Sequence, residues 1–112
     1  MKLTEIIGDK PKPMMMEKGY YLKFLKDNGA SQLWAVEQLM NDKTIAYAFI
    51  HPDPEGSANA EWGFRMSGAD NDPIERLYVS KSQALDYLKF KWWVTNRLIA
   101  RGILLPKGKN AN

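Results

Sequence analysis

Residues 80–101 read SKSQALDYLKFKWWVTNRLIAR, and this stretch predicts one long helix that must cover a sheet. Ser80 is followed three residues later by Gln83, which fits a capping box and places the helix start at Ser80. Gly102 is expected to end the helix in a left-handed conformation. We therefore predict a helix over residues 80–102 and a basic tail over residues 103–112.

The phase of this helix decides which side chains meet the sheet. At 100° per residue one apolar stripe stands out as the expected core face. Trp92 and Trp93 are adjacent and cannot both point at the core, so we expect Trp92 to be buried and Trp93 exposed. An alternative is that Tyr87, Phe90, Val94 and Leu98 pack under the N-terminal segment, which would bury the helix on most sides. The expected core stripe is Leu85, Leu88, Trp92, Thr95, Asn96, Ile99 and Ile103.

The chain before this helix alternates between apolar and polar residues, which is typical of half-buried strands. We predict a four- or five-stranded antiparallel meander over residues 20–79, and an irregular segment over residues 1–19 because of Pro11 and Pro13. In the strand predicted from Thr44, the small residues Ala46 and Ala48 leave room for a helix above them. Strands first and a helix last predict the α+β class in a single domain over residues 1–112.

The composition excludes several kinds of chemistry. The 112 residues include no cysteine and one histidine, so a thiol nucleophile, a disulfide or a site with two imidazoles cannot be built. His51 lies near Asp53 and Glu55, but two prolines separate these side chains, and an exposed acidic loop is the simpler interpretation. The chain contains no P-loop, G-x-G-x-x-G or G-x-S-x-G motif. We expect no enzyme, no cofactor and no metal site.

Charge is unevenly distributed along the chain. Residues 1–86 carry a net charge of −3, whereas residues 87–112 carry six cations and no acid, for a total of +3. Cations interleaved with aromatic rings suit phosphates and unpaired bases, and they equally suit a protein interface. The predicted partner-binding residues are Lys89, Phe90, Trp93, Arg97 and Arg101.

These features favour a small binding module over an enzyme. We expect a protein partner contacted through the basic and aromatic C-terminal helix, as an adaptor or inhibitor, with nucleic acid on the same surface as the alternative. A homodimer also remains open. No run of about 18 apolar residues occurs, so we expect no membrane span. The absence of cysteine and of an apolar leader suggests the cytoplasm.

Four short motifs resemble, in type and order, those of an uncharacterised family of small domains found on phages, plasmids and other mobile elements. The resemblance covers residues 20–80 and implies a bacterial or phage setting, in the cytoplasm of the host cell. It implies no catalytic residues, because the family offers none to carry over. The motifs are Trp34-Ala35-Val36-Glu37, Ala46-Tyr47-Ala48-Phe49-Ile50, Glu61-Trp62-Gly63-Phe64 and Pro73-Ile74-Glu75-Arg76-Leu77-Tyr78.

Within the last motif, an acid and a base are neighbours. Glu75 and Arg76 must point to opposite faces of a strand. We expect Arg76 to form a structural ion pair with Glu37 or Glu61. Gly63 is expected to permit a bulge or the close approach of the helix.

Overall fold

The computed structural model describes residues 11–27, 31–52, 59–68 and 71–104. In these ranges a six-stranded antiparallel sheet is followed by one C-terminal helix, which confirms the α+β class. The strands are neighbours in sequence order, as expected for a meander. They are β1 (Met14–Met15), β2 (Tyr20–Asp27), β3 (Gln32–Gln38), β4 (Thr44–Pro52), β5 (Asn59–Met66) and β6 (Glu75–Ser80), and the helix is α1 (Tyr87–Ala100).

The sixth strand is β1, which the sequence prediction placed in an irregular segment. Met14 and Met15 pair with Leu22 and Tyr21 of β2. Both prolines of this segment precede β1, so they remove no donor from the two paired residues. Met16 then turns inward and is 8% exposed in the core. The N-terminal segment therefore contributes to both the sheet and the core.

The predicted helix start at Ser80 is wrong. Ser80 ends β6 and makes no side-chain capping bond to the short 3-10 turn that follows. The α-helix begins seven residues later, at Tyr87, where the Asp86 carboxylate accepts a bond from the Lys89 backbone N–H at 3.2 Å. The buried residue Ala84 explains the delay, because its carbonyl accepts a bond from Trp62 Nε1 at 3.0 Å and so holds the chain against the sheet.

The helix terminates close to the predicted position. Gly102 has a φ of +78°, and the backbone N–H of Ile103 donates to the carbonyl of Leu98 at 2.9 Å. This left-handed glycine turns the chain back toward the sheet. Leu104 is only 2% exposed, so the predicted basic tail does not begin at residue 103. Residues 105–112 lie outside the described ranges.

The core lies between α1 and one face of the sheet. Trp34 of β3 and Trp62 of β5 belong to this core, and both contact Phe90 at centroid distances of 5.7 and 5.6 Å. Ala46 and Ala48 of β4, between them, are fully buried in the same cluster. The row of small residues makes room for α1, as the alternation in β4 predicted.

The opposite face of the sheet carries the predicted ion pair. Arg76 Nη1 donates to Glu61 Oε2 at 2.9 Å, so one of the two expected pairings is confirmed. Gly63 permits a close approach, but not of the helix. A Cβ at this position would lie 3.1 Å from Phe49 Cδ2 and 3.3 Å from Ile74 Cγ2.

Candidate interaction surface on the C-terminal helix

Two of the five predicted partner-binding residues lie in the core. Phe90 is fully buried, and Trp93 is 7% exposed and contacts the Trp62 ring at a centroid distance of 6.0 Å. The prediction that Trp92 would be buried and Trp93 exposed is therefore wrong. Trp92 is 67% exposed. Most of the predicted core stripe fails with it, because Leu85 and Leu88 are 42% and 70% exposed, and only its members Ile99 and Ile103 pack partly against the core.

The phase error has a physical cause. The helix has two apolar stripes, and both have helical spacing. The stripe that packs against the sheet is the one whose side chains fit around Trp34 and Trp62. The sequence of the helix alone does not show which of the two stripes has this fit. The buried members are Phe90, Trp93, Val94 and Leu98.

Two more predicted residues, Arg97 and Arg101, are held by carboxylates of this chain. Arg97 Nη1 donates to Glu75 Oε1 at 3.1 Å, and Arg101 Nε donates to Glu75 Oε2 at 2.8 Å. Arg101 Nη1 also donates to Asp72 Oδ2 at 3.1 Å. The hydrogen bonds to Glu75 and Asp72 raise the pKa of Arg101 above its usual value. Both arginines thus tie α1 to β6 and to the loop before it.

Lys89 is the one predicted site residue that is exposed, and it forms no ion pair with a carboxylate of the described ranges. Lys91 is half-buried on the other side of Leu88 and Trp92, and it also forms no ion pair with a carboxylate of the described ranges. The two lysines therefore flank the exposed face of α1, which carries Leu88 and Trp92. This face, rather than the predicted set of partner-binding residues, combines exposed apolar side chains with lysines that form no ion pair in the described ranges.

A groove of about 620 Å³ runs beside the exposed face. One wall is α1 and the other is the segment around β1, where Met15 is 54% exposed. The polar side chains on the helix wall bond to the helix itself. Thr95 Oγ1 donates to the Lys91 carbonyl and Asn96 Nδ2 donates to the Trp92 carbonyl, both at 2.8 Å. The groove lining is Met15, Met16, Glu17, Leu88, Lys91, Trp92, Thr95, Asn96 and Ile99.

The sequence held a signal for this surface, although we assigned it to the core. Leu88, Trp92, Thr95 and Ile99 are spaced by four, three and four residues, which is the spacing of the apolar seam in a coiled coil. A coiled-coil seam packs against another helix rather than against a sheet. We call these four residues the outer seam.

A polar cluster is centred on Glu37, near the end of β3. Tyr21 OH donates to Glu37 Oε1 at 2.7 Å, and Thr44 Oγ1 donates to Glu37 Oε2 at 3.3 Å. The hydrogen bond to Glu37 is the main cause that raises the pKa of Tyr21 to about 12. Glu37 is 7% exposed, so the two hydroxyls satisfy a buried carboxylate. This cluster ties β2, β3 and β4 together.

Neither a cluster of metal ligands nor a membrane-spanning helix occurs in the part of the chain that the structure describes. There, no three or more His, Cys, Asp or Glu side chains come together as metal ligands would. No helix there has both the length and the apolar character to cross a membrane. Comparison with known proteins adds no further assignment: no family model, no curated protein and no solved structure matches the chain.

Proposed function

We propose that this chain is a small non-enzymatic binding module of a phage or mobile element, and that it acts on a protein partner as an adaptor or inhibitor. The contact surface is the exposed face of α1 with the adjoining groove. The observation that carries the proposal is the exposure of Trp92 and Leu88, 67% and 70%, on the same side of one helix.

Large apolar side chains side by side on a surface favour a partner that covers them. Tryptophan is among the residues that most often anchor protein interfaces, since it buries a large area at a small cost in side-chain entropy. Met15 adds a flexible apolar contact on the opposite wall of the groove, which can adapt to the shape of a partner. Both walls of the groove thus present apolar surface.

Nucleic acid remains the alternative partner for the same helix. An exposed Trp92 between Lys89 and Lys91 could stack on an unpaired base while the lysines contact phosphates. Arg97 and Arg101 are already bonded to Glu75, however, and this lowers the number of cations available for phosphates. The free charge on α1 therefore supports a protein partner better than a nucleic acid.

Comparative capture from bacterial lysate tests the proposal. We expect the immobilised wild-type chain to retain a protein that a Leu88→Ala/Trp92→Ala variant does not, with or without nuclease treatment. Tyr78→Ala is the matched control, because Tyr78 is an aromatic residue that is 72% exposed on β6, away from this face. Identical capture by the wild type and the double variant would contradict the proposal. Retention that disappears with nuclease and weakens steeply with salt would favour the nucleic-acid alternative.

A further inference from the structure

We infer that the partner segment is an amphipathic helix whose apolar stripe is flanked by acidic residues, and that it lies along the outer seam in the groove beside Met15. This inference rests on the proposed function and names the class of partner. It follows from the spacing of the outer seam, from the charges beside the seam and from the shape of the groove.

The spacing identifies the secondary structure of the partner. The outer seam extends from Leu88 to Ile99, which on a helix is a nearly straight track of about 16 Å at 1.5 Å per residue. A partner strand would need free backbone donors and acceptors, and the backbone of α1 is already bonded within the helix. A second helix needs only side chains that interdigitate with the seam. The outer seam therefore fits a helix.

The charges identify the flanks of the partner. Lys89 lies one residue after Leu88, and Lys91 lies three residues after it. At 100° per residue these two positions fall on opposite sides of the outer seam. Neither has an acidic partner in the described ranges, and α1 itself contains no Asp or Glu. Acidic residues beside the partner's apolar stripe would complement both lysines.

The same charges disfavour a second copy of this chain. Two copies that met through the outer seam would bring four lysines together along the interface, and neither α1 would supply an acid to pair with them. Like charges across an interface weaken association. We therefore expect a heterologous partner rather than a homodimer at this surface.

The shape of the groove agrees with a helix that is held on two sides. Met15, Met16 and Glu17 line the side opposite the outer seam, and an apolar stripe laid in the groove would contact the methionines as well as the seam. Burial against both walls gives a larger apolar contact than α1 alone could offer.

Two synthetic helical peptides of about three heptads test the inference. Both carry leucine at the seam positions, and their flanking positions carry glutamate in one and lysine in the other. Fluorescence anisotropy with the full-length protein is expected to give a dissociation constant at least about tenfold lower for the glutamate peptide. Trp92→Ala should weaken that binding by about tenfold or more, whereas Tyr78→Ala should not change it.

Charge reversal provides the sharpest arm of the experiment. The Lys89→Glu/Lys91→Glu variant should prefer the lysine peptide, and circular dichroism should show an unchanged helix, because neither lysine side chain forms an ion pair with the described part of the protein. Equal affinity for both peptides, no binding of either peptide, or a preference that the double reversal leaves unchanged would overturn the inference. A wild-type dimer in sedimentation that Trp92→Ala dissociates would also overturn it, in favour of a second copy.

These outcomes are separate from those of the capture experiment. If lysate capture depends on Leu88 and Trp92 but the glutamate peptide is not preferred, the binding module stands and the acidic helix fails. If lysate capture is the same for the wild type and the double variant, the proposed function itself fails.

Discussion

The two tryptophans at the centre of α1 are neighbours in the chain and have opposite environments. Trp93 contacts Trp62 in the core, whereas Trp92 is 67% exposed beside the groove. Their side chains point about 100° apart around the helix, so a single rotation would exchange their roles. The comparison shows that an apolar stripe with helical spacing can serve either the fold or a partner. The surface it meets decides which.

The largest expected effect on stability comes from replacing the buried tryptophan of this pair. Trp93→Ala should lower the free energy of unfolding by about 3–5 kcal/mol, because it leaves a large cavity next to Trp62. Trp92→Ala should change that free energy by less than about 1 kcal/mol, since most of its side chain already contacts water. Urea denaturation followed by circular dichroism measures both values. Equal losses in the two variants would mean that the helix phase described here is wrong.

Loss of the ion pairs that join α1 to β6 should have a smaller effect on the free energy of unfolding. Glu75→Gln removes the shared carboxylate of Arg97 and Arg101, and we expect a loss of about 1–2 kcal/mol, between the values for surface and buried pairs. Arg76→Ala is the control, because the Arg76 side chain is 49% exposed, more than the two arginines bonded to Glu75, and we expect it to give the smaller loss. Denaturation of both variants at low and high salt tests the difference. If the two losses are equal, Glu75 does not anchor α1.

The helix start gives a third comparison, between the predicted cap and the observed one. Asp86→Ala should cost about 1 kcal/mol, because it removes the acceptor of the Lys89 backbone N–H. Ser80→Ala should cost only a few tenths, since the Ser80 hydroxyl does not cap the turn that follows it. Thermal unfolding monitored by circular dichroism is sufficient to rank the two variants. A larger loss for Ser80→Ala would support the capping box that the sequence predicts.

The smallest effect concerns Tyr21, which bonds to Glu37 of the neighbouring strand and tests the sheet. The folded protein raises the pKa of Tyr21 to about 12, above the usual value of 10.0, so its hydroxyl stabilises the fold fully below about pH 10. That contribution is lost as the pH rises through about 12, because the unfolded chain then releases the proton more readily. The Tyr21→Phe variant should therefore be less stable than the wild type below about pH 10, and this difference in the free energy of unfolding should shrink as the pH rises through about 12. Denaturation at several alkaline pH values measures the change, and a constant difference would contradict it.

Much of the sheet could be predicted because its signals are local. The alternation of large and small residues in β4 predicted a face for the helix, and Ala46 and Ala48 are indeed buried there. Strands β2 to β6 lie in the region where four or five strands were predicted, and they form the predicted meander. β1 was missed because two paired residues are too few to give a periodic pattern.

The candidate site was predicted less well, for a reason visible in its residues. The concentration of cations after Asp86 is the reason for predicting a binding surface on α1, and Lys89 is exposed there as expected. Phe90 and Trp93 were assigned to the surface because they alternate with cations. A sequence pattern cannot show that Arg97 and Arg101 find their acid in Glu75, 22 and 26 residues away.

The order of residues along the chain is enough to specify the α+β class, the meander, a C-terminal helix that ends before Gly102, and the absence of thiol chemistry. Each depends on local periodicity, turn residues or composition. The rotation of α1 was settled only when distant parts of the chain met. Trp34, Trp62 and Glu75 come from three different strands, and together they accept one stripe of the helix and leave the other exposed. The rotation of the helix depends on close packing with side chains from several strands at once, and the sequence of the helix alone does not specify how those side chains are arranged.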